Sequence, residues 1–220
     1  MTALSLGGVV LCGGESRRMG MPKAELPFGN ELLLERIVRL LREVDPVELV
    51  VVVKAAGQQL PSLPAGVLVT EDRHPGRGPL EGIVVGLQAL GGQVDAAYVT
   101  SCDAPLLEGA VVERLWQLLE ENQIVVPTEE GRAHPLAAIY RVSVGQVADQ
   151  LLAEDQRRPA FLFDRVMTRT VSVDELKEVD PDLRTFQNLN EPADYVHLLK
   201  DAGYDLPAEI AARLKLDQVP

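Results

Sequence analysis

The residues best suited to chemistry in this chain are concentrated in three short segments. The first is Leu11-Cys12-Gly13-Gly14-Glu15-Ser16-Arg17-Arg18-Met19-Gly20-Met21-Pro22-Lys23. Adjacent glycines let backbone N–H groups approach a ligand without a Cβ in the way. Arg17, Arg18 and Lys23 add cations to the same loop, and backbone donors beside fixed cations make a cradle for a triphosphate. The loop is neither GxxxxGK[ST] nor GxGxxG, which argues against a Walker A site and a Rossmann dinucleotide site. The second segment is Ser101-Cys102-Asp103-Ala104-Pro105. A lone carboxylate there can hold Mg²⁺ between nucleotide phosphates, because Mg²⁺ takes one or two protein carboxylates and keeps waters. Asp103 could instead cap the turn before Pro105. The third, Glu71-Asp72-Arg73-His74-Pro75-Gly76-Arg77-Gly78-Pro79, offers Asp72 as an acceptor for donors of a base or ribose.

These segments need a scaffold that brings them together. Residues 6–12 form a short apolar run stopped by glycines, a buried strand. Leu32, Leu33, Ile37, Leu40, Leu41 and Val44 recur at helical spacing between charged residues. Residues 47–53 are almost continuously apolar and β-branched, as in a strand covered on both faces. Strands are expected at 67–70 and 96–101, and helices at 80–90 and 108–121. Further strands are expected at 124–126, 137–140 and 170–173, and helices at 142–154 and 192–201. Alternating β and α elements predict an α/β fold with three αβα layers and a mainly parallel central sheet. In such sheets ligands bind beyond the carboxyl ends of the strands, where all three segments lie. With no linker or repeat, the chain reads as a single domain over 1–220, with 206–220 a peripheral C-terminal helix and tail.

The 220 residues carry 33 acidic and 21 basic side chains, a formal net charge of −12. This balance argues against a general nucleic-acid binder, which needs clustered Lys and Arg. Nine aromatic residues are too few for a base-stacking platform. No apolar run reaches 18 residues, so no membrane span is expected. The first residues lack the basic and apolar regions of a secretory signal, and a cytoplasmic location is expected. Cys12 and Cys102 each end a predicted strand; they read as small buried hydrophobes in a reducing compartment, too few to make a tetrahedral zinc site alone.

The first loop resembles the L-x-G-G-x-S-x-R-M-G-x-x-K signature of the molybdenum cofactor guanylyltransferases, nucleotidyltransferases with a glycosyltransferase-A-like fold. Four later segments are similar to family motifs in the same order: Gly78-Pro79-Leu80-Glu81-Gly82, Cys102-Asp103-Ala104-Pro105, His134-Pro135-Leu136 and Phe186-Gln187-Asn188-Leu189-Asn190-Glu191-Pro192. The resemblance covers nearly the whole chain. It implies transfer of GMP from GTP to the terminal phosphate of molybdopterin, with release of pyrophosphate. It implies catalytic roles for Arg18, Lys23 and Asp103. Nucleotide binding is implied for Leu11, Cys12, Gly13, Gly14, Ser16, Arg17, Asp72, Gly78, Pro79, Leu80 and Gly82, and Mg²⁺ binding for Asp103 and Asn190. A basic pair, Arg157-Arg158, would hold the acceptor's phosphate; His134 is a weaker candidate that could equally be structural. Molybdenum-insertion and molybdoenzyme maturation proteins are the implied partners. Relatives more often carry Ala or Gly at the position of Glu81. They often place Asn after the second strand, where this chain reads Lys54-Ala55-Ala56-Gly57. The alternatives are a molybdopterin cytidylyltransferase, a sugar-phosphate nucleotidyltransferase, or a nucleotide-binding sensor without turnover. A CTP-using relative would more often read L-A-A-G, so Gly13-Gly14 favours the guanylyl branch.

Overall fold

The computed structural model describes residues 4–13, 19–74 and 76–214. The strands are β1 (Leu6–Leu11), β2 (Pro27–Phe28), β3 (Glu31–Leu32), β4 (Val47–Lys54), β5 (Leu68–Glu71), β6 (Ala96–Ser101), β7 (Ile124–Glu129), β8 (Arg132–Ala133), β9 (Ala137–Arg141) and β10 (Thr168–Ser172). The helices are α1 (Leu33–Arg42), α2 (Pro79–Leu90), α3 (Gly109–Gln117), α4 (Val144–Ala153), α5 (Ala160–Phe163), α6 (Val173–Leu176), α7 (Pro192–Asp201) and α8 (Ala208–Arg213).

Among the described residues the main sheet runs β10-β7-β9-β6-β1-β4-β5, with β8 paired to β7. Every neighbour along the main path is parallel except around β9, which runs against β6 and β7. The chain therefore builds outward from β1 through β4 to β5, then returns to place β6 on the other side of β1. That reversal is the topological switch point, where a crevice opens beyond the strand ends.

Alternation along the strands fills two cores. Val10, Val50, Val52 and Tyr98 face α1 and α3, while Val9, Val51, Val53 and Val99 face α2 and α4. Period 2 sends successive side chains to opposite faces, so the continuous valine run of β4 is what a strand sandwiched between helices requires. Helix α2 lies very close to the sheet. A Cβ on Gly86 would overlap Val9 Cγ1, and one on Gly82 would sit 3.0 Å from Leu11 Cδ2.

A third apolar cluster joins segments distant in sequence. Met19, Met21, Leu26, Phe28 and Leu33 pack with Leu106, Leu189, Tyr195, Leu198, Leu199 and Ile210. It fastens the end of the first loop, the turn after Asp103 and the 188–190 segment to α7 and α8.

The expected elements shift in places. Helix α3 ends at Gln117 rather than 121, followed by a turn with Glu120 at φ +42°. Residue 173 opens α6 instead of closing β10, because Ser172 caps that helix: its Oγ accepts from Asp174 N, and Glu175 accepts from Ser172 N. The β2–β3 hairpin, β8, α5 and α6 are too short to leave a periodic signal.

Candidate active site

A cavity of about 1160 Å³ opens at the switch point, lined by the loops after β1, β4, β5 and β6 and by the 188–190 segment. It has two chemically distinct ends.

At one end Lys23 Nζ lies 2.7 Å from Asp103 Oδ2, with both side chains less than one-fifth exposed. The hydroxyl of Ser101 donates to the other carboxylate oxygen, Oδ1. Lys23 is held in a single 3-10 turn after Pro22, between buried Met21 and Ala24. The Asp103 carbonyl accepts from Leu189 N at 2.8 Å, which docks the 188–190 segment beside the carboxylate. Asn190 is placed in turn by Asp194, whose Oδ2 accepts from the amides of Asn190 and Glu191 at 2.8 Å each, ahead of Pro192 at the start of α7. Asn188 and Asn190 both face the cavity.

This end suits a hard divalent cation. A carboxylate has about four lone-pair sites, and Ser101 and Lys23 engage one each. One carboxylate and one carboxamide make the oxygen-rich, incomplete shell of a cation that completes itself with water and phosphate oxygens. Among the described residues no cluster of three or more His, Cys, Asp or Glu makes an all-protein cage.

At the other end Asp72 approaches the first loop. A Cβ at Gly13 would stand 3.1 Å from Asp72 Oδ2 and 3.4 Å from the Ala55 amide. The absence of that Cβ leaves the backbone open between them. Asp72 Oδ1 is buried without a hydrogen-bond partner, an acceptor that invites a donor from a ligand. Burial, and then the neighbouring Glu81 carboxylate, raise the Asp72 carboxyl above its ordinary range. Glu81, only 1% exposed, is flanked by Arg73 Nε at 3.4 Å and His74 Nδ1 at 3.3 Å. Gly78 takes φ +78° as the residue before α2, a left-handed conformation that favours glycine, and with Pro79 and Gly82 it walls this end.

Gln58 links two of the loops, a connection not legible in the sequence. Its Oε1 accepts from Ala55 N at 3.0 Å and its Nε2 donates to the Cys12 carbonyl at 3.2 Å. An amide side chain therefore does reach the segment after β4, from four residues beyond its end. Met21, Ala56, Ser101 and Leu136 also face the cavity, although the sequence assigns them no site role. Met21 and Ser101 stand inside the first two segments and Leu136 inside the His134-Pro135-Leu136 motif, and only the fold shows that they reach the cavity.

The cavity wall includes Leu11, Cys12, Gly13, Lys23, Asp72, Gly78, Pro79, Gly82, Asp103 and Asn190 from the expected set. Leu80 departs from expectation: it is fully buried in the core beneath α2, because the first turn of that helix points it at the sheet. His134 packs on the Phe186 ring at 4.9 Å and stands 3.5 Å from Glu129 Oε2, and it is not part of the cavity wall. Arg157 and Arg158 are exposed on the turn before α5, and Arg157 pairs with Asp155 at 2.7 Å. The Arg157 carbonyl comes within 3.9 Å of a Cβ built at Gly78, so this turn borders the cavity rather than lining it. Gly14, Ser16, Arg17 and Arg18 lie outside the described residues. No helix among the described residues is long and apolar enough to cross a membrane.

Residues 8–170 match the model of the MobA-like NTP transferase domain. A Carboxydothermus hydrogenoformans protein named "Probable molybdenum cofactor guanylyltransferase" is 33% identical over 191 residues, covering 87% of this chain and 93% of that protein. A Mycobacterium tuberculosis protein of the same name is 38% identical over 194 residues, covering 86% and 90%. The fold is similar to that of molybdopterin-guanine dinucleotide biosynthesis protein A from Archaeoglobus fulgidus, with a TM-score of 0.72 and 22% identity over 91% of this chain and 99% of that one. A mainly parallel sheet with its crevice at β1/β6, a lysine–aspartate pair at one end of that crevice and these relatives along most of the chain identify it as a nucleotidyltransferase of the MobA-like NTP transferase family.

Proposed function

We propose that the chain transfers GMP from GTP to the terminal phosphate of molybdopterin. An acceptor phosphate oxygen attacks the α-phosphorus, the bond to the bridging oxygen breaks, and pyrophosphate leaves. The observation that carries this reading is the Lys23–Asp103 pair at one end of the cavity, with the orphaned Asp72 oxygen at the other.

The base end recognises guanine through Asp72. A deprotonated carboxylate accepts from the N–H groups of a guanine edge, which cytosine does not present in the same way. Gly13, Gly78 and Gly82 bring backbone close to the nucleoside. At the phosphate end Lys23 holds negative charge as it builds on the departing pyrophosphate. Asp103 and Asn190 would hold Mg²⁺, which when bound neutralises phosphate charge and makes the α-phosphorus more electrophilic. The Ser101 hydroxyl fixes the Asp103 rotamer. Arg158, and Arg157 once released from Asp155, receive the anionic end of the acceptor at the cavity border. No covalent enzyme intermediate is needed; positioning and charge stabilisation supply the rate. This reading includes residues 1–220 acting as one domain in the cytoplasm, with hand-off of product to molybdoenzyme maturation proteins.

The test is pyrophosphate release by purified protein with Mg²⁺, molybdopterin and either GTP or CTP. Release that needs both acceptor and GTP supports the reading. CTP used in preference would transfer the assignment to the cytidylyl branch, and nucleotide binding without turnover would make the chain a sensor.

A further inference from the structure

Cys12 and Cys102 are the only cysteines in the sequence, and transfer as derived above uses neither thiol. They leave β1 and β6 at equivalent points. Leu11 and Ser101 are register partners at the ends of these parallel strands, and the Cys102 amide donates to the Leu11 carbonyl at 3.0 Å. Adjacent strands lie about 4.8 Å apart, inside the Cα window of about 4.4–6.8 Å that a disulfide needs. Both thiols are free, and both residues belong to the same apolar cluster on one face of the sheet. At 5% and 6% exposure both residues are nearly buried, and both contribute to the cavity wall. One precedes Gly13 at the base end and the other precedes Asp103 at the phosphate end.

We propose that Cys12 and Cys102 form an oxidative modification site, at which a hydroperoxide closes a reversible disulfide that switches off nucleotide use. One sulfur attacks a peroxide oxygen, the O–O bond breaks, and the leaving hydroxide takes the thiol proton as water. The resulting sulfenic acid is attacked by the second sulfur; its S–O bond breaks and a second water leaves with the remaining thiol proton. Two thiols and one hydrogen peroxide thus become a disulfide and two waters, with two electrons passing from sulfur to peroxide. Each cysteine serves as resolving partner for the other. A dithiol reductant reverses the step by exchange.

Closure draws the two sulfurs together to about 2.05 Å. The movement is passed to Gly13 and Asp103, the next residues along each strand. A misplacement of about 1 Å at reacting groups costs about 100-fold in rate, so the oxidised chain is expected to lose about that much turnover.

The experiment treats the reduced full-length chain with hydrogen peroxide and follows three quantities: a non-reducing peptide map, calorimetric GTP binding and GMP transfer. The expected result is a Cys12–Cys102 crosslinked peptide, an intact mass lower by two hydrogens, and about 100-fold slower transfer that dithiothreitol restores. Cys102→Ala and Cys12→Ala, each compared with its own untreated rate, should lose the reversible drop. The proposal is overturned by sulfinic acid on separate cysteines without a crosslink, by a crosslinked chain with unchanged binding and rate, or by equal reversible sensitivity in Cys102→Ala. If the alanine variants do not fold, Cys102→Ser takes their place. The map and the binding measurement do not require transfer. A chain that crosslinks and loses GTP binding but never transferred GMP would therefore refute the proposed function and leave the thiol pair standing.

Discussion

Substituting alanine at Gly86 tests the contact that sets one wall of the cavity. The new Cβ would overlap Val9 Cγ1 and stand 3.0 Å from Val9 Cγ2 and 3.3 Å from Val53 Cγ2. Carbon atoms pack best at about 3.5–4.0 Å, so something must move by the better part of an ångström. Val9 is fully buried in a strand paired on both sides, and its branched side chain has little χ1 freedom. Helix α2 must therefore lift. Overpacking a tight core costs about 1–3 kcal/mol, and the backbone approach here puts Gly86→Ala at the upper end. Replacing glycine inside a helix returns up to about 1 kcal/mol, leaving a net loss of about 2 kcal/mol. Gly145→Ala in α4 is the matched control, because its Cβ would meet Leu87 Cβ at 3.5 Å, an ordinary contact. It should be neutral or stabilise by up to about 1 kcal/mol. Urea denaturation at equal m-values reads both differences. For a chain of this size the thermal midpoint of Gly86→Ala should fall by about 4–8 °C. A Gly86→Ala protein as stable as wild type would mean that α2 does not rest on β1 in this way. The placement of Gly78, Pro79 and Gly82 on the cavity wall would then be wrong as well.

Four further outcomes follow from the same geometry. Lys23→Met should lower kcat by about 10²–10³-fold, the usual loss on removing one preorganised charge-stabilising donor; a change under tenfold in single-turnover transfer would remove Lys23 from the charge-stabilising role. Asp103→Asn should abolish the dependence of turnover on added Mg²⁺ along with most of the turnover, and a metal titration that still saturates as in wild type would relocate the cation. Asp72 has its carboxyl raised by burial and then by Glu81, so it takes up a proton earlier than an ordinary aspartate as pH falls. GTP affinity, which needs the carboxylate, should therefore weaken on the acid side while still above the ordinary range near pH 4. Glu81→Gln should move that limb to lower pH, and calorimetric Kd values flat down to about pH 4 would contradict the assignment. Arg158→Ala should raise KM for the acceptor by about tenfold or more, as for loss of a charged hydrogen bond, with the GTP Kd unchanged; the opposite pattern would move Arg158 to the nucleotide.

Much of this protein is legible from residue order alone. The apolar run 6–12 ended by glycines, the valine run 47–53 and the helical spacing from Leu32 to Val44 each declare their element, because periodicity and branching act locally. Alternation of these elements implies a parallel sheet, and a parallel sheet implies that the loops after its strands share one edge. Residue order therefore already points to Asp72, Asp103 and Lys23. The motif residues add the family, since their order and spacing run through most of the chain.

What depended on the tertiary structure is what arises between segments far apart in sequence. The third apolar cluster has no period: Met19, Leu106, Leu189 and Ile210 become neighbours only when α7 and α8 fold back, and that packing brings Lys23, Asp103 and Asn190 to one end of the cavity. Leu80 sits inside a motif yet points into the core, because a helix turns each residue by about 100° and the motif does not say which face meets the sheet. Gln58 reaches Cys12 across 46 positions, and its place beyond β4 gives no hint of that partner. Cys12 and Cys102 read singly as two small apolar residues. Strand register makes them neighbours, because β6 returns to the side of β1 opposite β4, and no local property of either segment encodes that return.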